Sequence, residues 1–247
     1  MFFEKINAEG IAKKLREFHD FIPPDVRLNV EDITLLLKLA DLSLEIQPQQ
    51  ISLVKMLLSW PKSHIFPALD LIRASLLIPK INEELSASKD SARLIDTLLV
   101  CATDSSSDPN QLLALRALCN MFSHPVGEAL VFTHAATIFK ALNACPLSTN
   151  KNIQIAQSTL YLNYAVSFYK THQHDGLKFE CLTAVFTMMK PDADPEVQFR
   201  LLVSIGTLIQ NDSNVLQLIK SEDVVSILDA LTKRLDNPEK LIKCAQL

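Results

Sequence analysis

Residues 114–122, ALRALCNMF, combine apolar helix-forming residues with two polar ones, Arg116 and Asn120. A separation of four residues places both polar side chains on the same face of a helix. The apolar residues around them are typical of a helix that is buried in a core. The pattern therefore predicts a buried helix with one polar stripe, and the partners of that stripe decide what the helix does.

The composition predicts an all-α protein with a large core. Of 247 residues, 48% are hydrophobic and 21% are charged, which excludes a globally disordered chain. Glycine occurs only four times, and valine-rich alternation is missing, so helix is favoured over sheet. No apolar run approaches the roughly 18 residues that span a bilayer, and no signal-peptide pattern opens the chain, so we expect no membrane insertion.

Charge and cysteine usage exclude further classes. A net charge of −4 argues against a general nucleic-acid binder, which normally carries a basic excess. The five cysteines form no CxxC pair and lie in apolar surroundings, which favours buried free thiols over disulfides or zinc ligands. We therefore expect a protein of the cytosol or the nucleus.

Signals for the start of a helix recur along the chain. Each is a capping residue that precedes a segment with apolar residues at helical spacing, and in two cases proline lies in the first turn. These signals are Asn7, Asn29, Asp108-Pro109 and Asp194-Pro195. The breaks between helices are short and rich in residues that end or cap helices. None has the length of an interdomain linker, so a single domain over residues 1–247 is predicted.

A period of 43 residues relates four of the predicted helices. One step brings Asn120 onto Asn163, the next brings Asn163 onto Gly206, and a step backwards brings Arg116 onto Arg73. This period lies within the roughly 40–47 residues of armadillo and HEAT repeats, whose units stack into a solenoid because none buries its apolar face alone. The sequence therefore predicts an armadillo-like helical solenoid. The four related segments are 69–77, 114–122, 157–165 and 200–208.

Two interpretations of the polar stripe stay open. If the repeated helix lines a concave groove, Arg73 and Arg116 offer donors to carboxylates, and Asn120 and Asn163 hold the backbone of an extended peptide. Alternatively, the asparagines satisfy loop carbonyls inside the stack and Arg116 pairs with an acidic residue of a neighbouring repeat. Equivalent positions in successive repeats favour the shared surface for the arginines.

Motifs of catalysis are missing. The chain has no nucleophile elbow, phosphate-binding loop, zinc-protease helix or dinucleotide fingerprint, so we expect neither an enzyme nor a cofactor. His172 and His174 lack a third ligand of matching spacing, so a polar loop is favoured over a metal site.

Three further residues have two interpretations each. His124 follows the repeated helix and either faces the mouth of the groove or caps a helix end. Trp60, before Pro61, is either a packing wedge between repeats or a binding anchor. Tyr164, beside Asn163, is either core or a contact on the concave side.

Segments 57–77, 110–127 and 195–212 resemble the PUL domain, and the resemblance extends over essentially all 247 residues. It implies an armadillo-like solenoid of about six repeats. It also implies a non-catalytic adaptor that binds the acidic C-terminal tail of valosin-containing protein, a hexameric AAA ATPase that acts on ubiquitinated substrates. Ubiquitin itself would be contacted only through other domains of the full-length relatives.

The resemblance implies a basic groove for this tail and carries Arg73 and Arg200 onto it, while the repeat superposition adds Arg116. Arg200 departs from the 43-residue register by two positions, which turns it about 200° away on an ideal helix. The asparagines would hold the tail backbone, and the aromatic residues would add apolar contact. The predicted tail-binding residues are Arg73, Arg116, Asn120, Asn163, Arg200, Tyr164, His124 and Trp60.

The adaptor and a second function class, the architectural scaffold, predict opposite surroundings for the arginines. The adaptor needs them exposed on a concave face. An architectural scaffold or dimerisation module with no peptide ligand needs them buried and paired. A weaker third hypothesis, a lipid- or small-molecule-binding domain, needs an enclosed cavity. In each case residues 1–30 are expected to form an N-terminal cap or extension, with residues 1–20 packed on the first repeat.

Overall fold

The computed structural model describes residues 1–41, 45–171, 175–190 and 193–210. Over these residues the chain forms twelve α-helices, four short 3-10 helices and no strand, which confirms the predicted all-α class. The helices are α1 Ala8–Glu17, α2 Val30–Leu37, α3 Pro48–Leu57, α4 Phe66–Ser75, α5 Pro79–Ala87, α6 Ser91–Ala102, α7 Asp108–Met121, α8 Pro125–Thr133, α9 Ala135–Asn143, α10 Lys151–Thr171, α11 Asp175–Met188 and α12 Pro195–Ile209.

Three of the four predicted helix starts lie where the capping residues indicated. The Asn7 side chain accepts from the backbone N–H of Gly10, and Asp194 caps α12 in the same way. Asn29 and Asp32 form a reciprocal capping box at the start of α2. The fourth start differs, because Asp108 lies inside the first turn of α7, where the helix dipole favours its negative charge.

The chain divides into two compact units, Met1–Cys145 and Pro146–Leu247. In the first unit α7 is the central helix, packed against α4, α6 and α8. In the second unit α10 packs against α11 and α12. That residues 1–247 form a single domain stays a prediction.

The 43-residue spacing identified helices that are neighbours in space. Segments 69–77 and 114–122 fall on α4 and α7, which pack against each other in the first unit. Segments 157–165 and 200–208 fall on α10 and α12, which pack against each other in the second. Stacking of equivalent helices is the packing expected of solenoid repeats, whose apolar faces are covered by their neighbours.

The polar stripe on α7 is surrounded by buried apolar residues. Ala114, Leu115 and Leu118 are at most 1% exposed, and Leu69 and Ile72 of α4 are fully buried. Because α7 has helices on several sides, its apolar residues do not keep to one face. This is why its sequence indicates a core helix and not an amphipathic surface helix.

The first helix packs on neighbouring helices, and its role as an N-terminal cap stays a prediction. This helix packs against α4 and α2, and its buried residues are Ile11, Ala12 and Leu15. Residues 1–6 precede this helix and continue onto α7, as described below. No helix among the described residues is long and apolar enough to cross a membrane.

Helix α8 approaches α5 and the end of α7 so closely that only glycine fits at position 127. A Cβ atom on Gly127 would lie 2.3 Å from Asn82 Oδ1 and 2.4 Å from the carbonyl oxygen of Met121. Asn82 is fully buried and donates from Nδ2 to the carbonyls of Leu76 and Met121, so it has little freedom to move. The packing therefore depends on the missing side chain.

Gly127→Ala should lower the free energy of unfolding by about 1–3 kcal/mol, because the added methyl group forces α8 away from Asn82. Gly206→Ala is the matched control, because a Cβ atom at Gly206 meets no heavy atom within 4 Å. That change should raise stability by about 0.5–1 kcal/mol through the better helix propensity of alanine. Urea unfolding measures both, and equal effects of the two substitutions would contradict this packing argument.

Candidate functional site

The end of α7 is bonded to the end of α4. Asn120 Nδ2 donates to the carbonyl of Arg73 at 2.9 Å, and Ser123 Oγ donates to the carbonyl of Leu76 at 3.0 Å. His124 Nε2 lies 2.9 Å from the carbonyl oxygen of Leu77. The last carbonyls of a helix have no partner within the helix, and here the neighbouring repeat supplies partners. Part of the polar stripe therefore joins two repeats, as the structural interpretation predicted.

Asn120 also holds residues 1–6, which we call the N-terminal segment. The backbone N–H of Phe3 donates to Asn120 Oδ1 at 2.8 Å, and Asn120 Nδ2 donates to the Phe3 carbonyl at 3.0 Å. One side-chain amide thus pairs with both backbone groups of one residue, which is how asparagine can hold an extended peptide. The peptide held here belongs to the chain itself.

Arg73 holds the same segment from α4. It is only 1% exposed, and its guanidinium donates to Asp70 at 2.6 Å and to the carbonyls of Phe3 and Lys5. A buried arginine is stable when a carboxylate and further acceptors surround it. Arg73 therefore anchors the N-terminal segment and presents no free donor surface, as the scaffold hypothesis required.

Arg116 has different surroundings, although it occupies the equivalent position of the next repeat. Its guanidinium is half-buried and lies over the ring of Phe3, with 4.9 Å between the guanidinium carbon and the ring centroid. Its Nε atom is covered and has no hydrogen-bond partner, and no carboxylate of the described residues pairs with it. Burial lowers the pKa of Arg116, the charge of Arg73 lowers it further, and Asp70 partly opposes both effects. The guanidinium is thus a desolvated cation without an anionic partner.

Arg116 and the N-terminal segment line an open cleft of about 470 Å³ in the first unit. The remaining lining residues are Phe2, Phe3, Glu4 and Lys5. Two cations and one carboxylate face this cleft, so its local charge is positive although the whole chain carries −4. This cleft is the candidate site, and its chemistry suits a ligand with carboxylate groups.

Comparison with known proteins assigns the family. The family model of the PUL domain matches residues 1–246. The chain belongs to the PUL domain family. It is 35% identical over 252 residues to phospholipase A-2-activating protein of Xenopus laevis, covering 99% of this chain and 31% of that protein. It is 24% identical over 237 residues to the ubiquitin fusion degradation protein 3 homolog of Caenorhabditis elegans, covering 91% of this chain and 27% of that one.

Solved structures agree on the fold. The PFU-PUL domain pair of Saccharomyces cerevisiae Doa1/Ufd3 superimposes with a TM-score of 0.72 at 18% identity, covering 100% of this chain and 76% of that one. At this identity the likeness concerns the fold alone, and it agrees with the predicted helical solenoid class. The PUL domain described here spans about a third of the length of its curated relatives.

Two other predicted site residues of the PUL domain lie in its first unit. Trp60 is 4% exposed, and its Nε1–H donates to the Val26 carbonyl at 3.0 Å, so it packs as a wedge against a 3-10 helix. His124 is half-buried and occupies the N-cap position of α8. Because its Nε2 contacts the Leu77 carbonyl, His124 joins the two repeats and does not line the cleft.

The remaining predicted residues lie in the second unit. Tyr164 is fully buried and stacks on Phe168, with ring centroids 6.3 Å apart, and Asn163 is 5% exposed. The side chain of Arg200 is 11% exposed and lies 2.7 Å from the carboxylate of Glu196, one turn earlier in α12. As placed, these residues offer a ligand little surface, and their role in tail binding stays a prediction.

Sequence reasoning missed Phe3, Glu4 and Lys5, which form one side of the cleft. A signal for the distinct roles of the two arginines was present, however. Asp70 lies three residues before Arg73, whereas the equivalent position before Arg116 is Leu113. A carboxylate at that spacing on a helix pairs with the arginine, so only Arg73 was supplied with a local partner.

Asn120→Asp should release the N-terminal segment, because a carboxylate cannot donate to the carbonyls of Phe3 and Arg73. We expect a loss of about 1–3 kcal/mol in stability and faster hydrogen exchange at the Phe3 amide. Asn152→Asp, at an exposed asparagine in the first turn of α10, is the control; the helix dipole favours its charge, so it should raise stability slightly and leave the Phe3 amide unchanged. Hydrogen exchange by mass spectrometry and thermal unfolding test this, and an unchanged Phe3 amide would contradict the assigned role of Asn120.

Proposed function

We propose that this PUL domain is a non-catalytic adaptor that binds the acidic C-terminal tail of valosin-containing protein in the cleft between the N-terminal segment and α7. The observation that carries the proposal is Arg116, a desolvated guanidinium that lines an open cleft and has no carboxylate partner among the described residues. A buried cation is stabilised by an anion with hydrogen-bond acceptors. Carboxylates of an acidic peptide are such anions, and Lys5 adds charge of the right sign.

The family supports the biological setting of the proposal. One relative is named for ubiquitin fusion degradation, which suits an adaptor in ubiquitin-dependent protein turnover. Contact with ubiquitin would come through other parts of the longer relatives, of which this chain covers about a third. The proposal places the domain in the cytosol or nucleus, and the buried free thiols of Cys101, Cys119 and Cys181 support a reducing compartment.

The structure refines the proposed roles of the residues. Arg116 is the direct partner of the tail carboxylates, while Arg73 and Asn120 hold the N-terminal segment that forms the opposite side of the cleft. Arg200 lies in the second unit, where its terminal nitrogen pairs with Glu196, and its predicted role in tail binding stays a prediction. Electrostatic attraction of the acidic tail would raise the rate of association and make it salt-dependent.

The architectural scaffold remains a second candidate, because a specific observation favours it. Arg73 and Asn120 are buried and fully engaged in joining α4, α7 and the N-terminal segment. A scaffold with no ligand accounts for these two residues. It gives no account of Arg116, which pairs with no carboxylate in the part of the chain that the structure describes.

Fluorescence anisotropy of a labelled ten-residue tail peptide tests the proposal. The wild-type domain should bind saturably, with lower affinity at high salt. Arg116→Ala should weaken binding about tenfold or more, because it removes the guanidinium that pairs with carboxylates. Arg73→Ala should weaken binding too, together with a lower melting temperature, because it releases the N-terminal segment.

Arg16→Ala is the matched control, since Arg16 is exposed on α1 and does not line the cleft. It should leave the affinity unchanged. If a well-folded wild-type domain showed no saturable binding at low salt, the tail proposal would be excluded and the scaffold would stand.

A further inference from the structure

We propose that Phe3 is a positioning residue of the cleft: its ring fixes the Arg116 guanidinium so that the two terminal nitrogens, Nη1 and Nη2, meet a ligand carboxylate end-on. The inference deepens the proposed function and rests on it for the identity of the natural ligand. Phe3 lies outside the repeats, in the N-terminal segment, and no sequence motif pointed to it.

The position of Phe3 is fixed by its backbone. Its N–H and carbonyl both pair with Asn120, and its carbonyl also accepts from Arg73. Two residues later, the Lys5 carbonyl accepts from Arg73 at 2.8 Å. Bonds from α4 and α7 therefore hold the segment on both sides of the Phe3 side chain, and they place its ring beside Arg116, one helical turn before Asn120.

The ring of Phe3 lies against the guanidinium of Arg116. A centroid distance of 4.9 Å lies within the range of an attractive cation–π contact. Nε is covered and has no partner, whereas Nη1 and Nη2 have neither a protein acceptor in the described part of the chain nor complete burial. Because Arg116 lines the cleft, its open donors face the space that a ligand would occupy. The geometry closes the Nε edge to ligands and offers the terminal edge.

This arrangement selects carboxylates by geometry as well as charge. Two parallel N–H donors match the two oxygens of a carboxylate. The guanidinium is also partly withdrawn from water, which strengthens its attraction to an anion because the local dielectric constant falls. The carboxylate has two sources in an acidic tail, a side chain and the chain terminus, and both present the same chemistry to Arg116.

Binding of the tail peptide to Phe3 variants tests the inference. Phe3→Ala should weaken binding about three- to tenfold, the effect expected for loss of a partly desolvated cation–π contact. Phe3→Trp should retain the affinity, because it keeps an aromatic face over the guanidinium. Phe3→Ala combined with Arg116→Ala should bind no worse than Arg116→Ala alone, since the ring acts only through the arginine.

Phe21→Ala is the control for loss of an aromatic side chain. Phe21 is 64% exposed, stacks on His64 and does not line the cleft, so its removal should leave binding unchanged. Additive losses in the double variant, or equal weakening by Phe3→Trp and Phe3→Ala, would overturn the positioning role and leave Phe3 as packing.

A spectroscopic measurement separates this inference from the tail proposal. In ¹⁵N-labelled protein the Nε–H signal of Arg116, assigned by its loss in Arg116→Lys, should exchange slowly with water because Nε is covered. Phe3→Leu should speed that exchange and remove the ring-current shift. Sodium acetate, as a carboxylate probe, should perturb the signal in the wild-type domain more than in Phe3→Leu.

These outcomes are distinguishable. A ring-dependent response to acetate without tail binding would support the positioning role and exclude the tail as its ligand. Tail binding with an Arg116 signal indifferent to Phe3 would overturn the inference and leave the proposed function intact. Two modified tail peptides then show which carboxylate Arg116 binds. One has an amidated C-terminus, and the other has its acidic side chains replaced by amides. Only the peptide that lacks the bound carboxylate should fail to perturb the Arg116 signal.

Discussion

The side-chain amide of Asn120 satisfies three backbone groups from two separate parts of the chain, and the candidate site is assembled around it. Its oxygen accepts from the N–H of Phe3, and its nitrogen donates to the carbonyls of Phe3 and Arg73. Both donor hydrogens of the amide and its oxygen are thus engaged. Asn120 is fully buried, where any unpaired polar atom would be costly. Joining two repeats and fixing the N-terminal segment are therefore consequences of one side chain.

The same segment gives two equivalent arginines different roles. Arg73 pairs with Asp70, one turn earlier on α4. It also donates to backbone carbonyls of the N-terminal segment, and these bonds complete a buried network. Only the ring of Phe3 reaches Arg116, whose helix offers Leu113 where α4 offers Asp70. Arg73 is thus paired within the fold, while Arg116 lines an open cleft and has no carboxylate partner among the described residues. Repeat symmetry places the residues, and departures from that symmetry decide which of them remains open to a ligand.

The helices and their pairing were predictable from the sequence because their signals are local and periodic. Caps at Asn7, Asn29 and Asp194 and the 43-residue spacing follow from side-chain chemistry that recurs along the chain. The placement of the N-terminal segment was not predictable, because it depends on backbone N–H and carbonyl groups, which every residue carries. For Tyr164 and Trp60 the sequence left burial and ligand contact both open, since aromatic residues suit cores and interfaces equally well.

Arg116 is the residue of the candidate site whose partial burial is not compensated by a carboxylate among the described residues. Arg73 and Asn120 of this site have hydrogen-bond partners, whereas half-buried Arg116 has an Nε with no partner among the described residues and lies near a like charge on Arg73. Folding gains little from such a residue, because an apolar side chain would pack on Phe3 without desolvating a charge. Sites where a sequence violates the rules of its own fold are expected to be functional. Among the described residues no carboxylate pairs with this cation, and an anionic ligand would supply the missing partner.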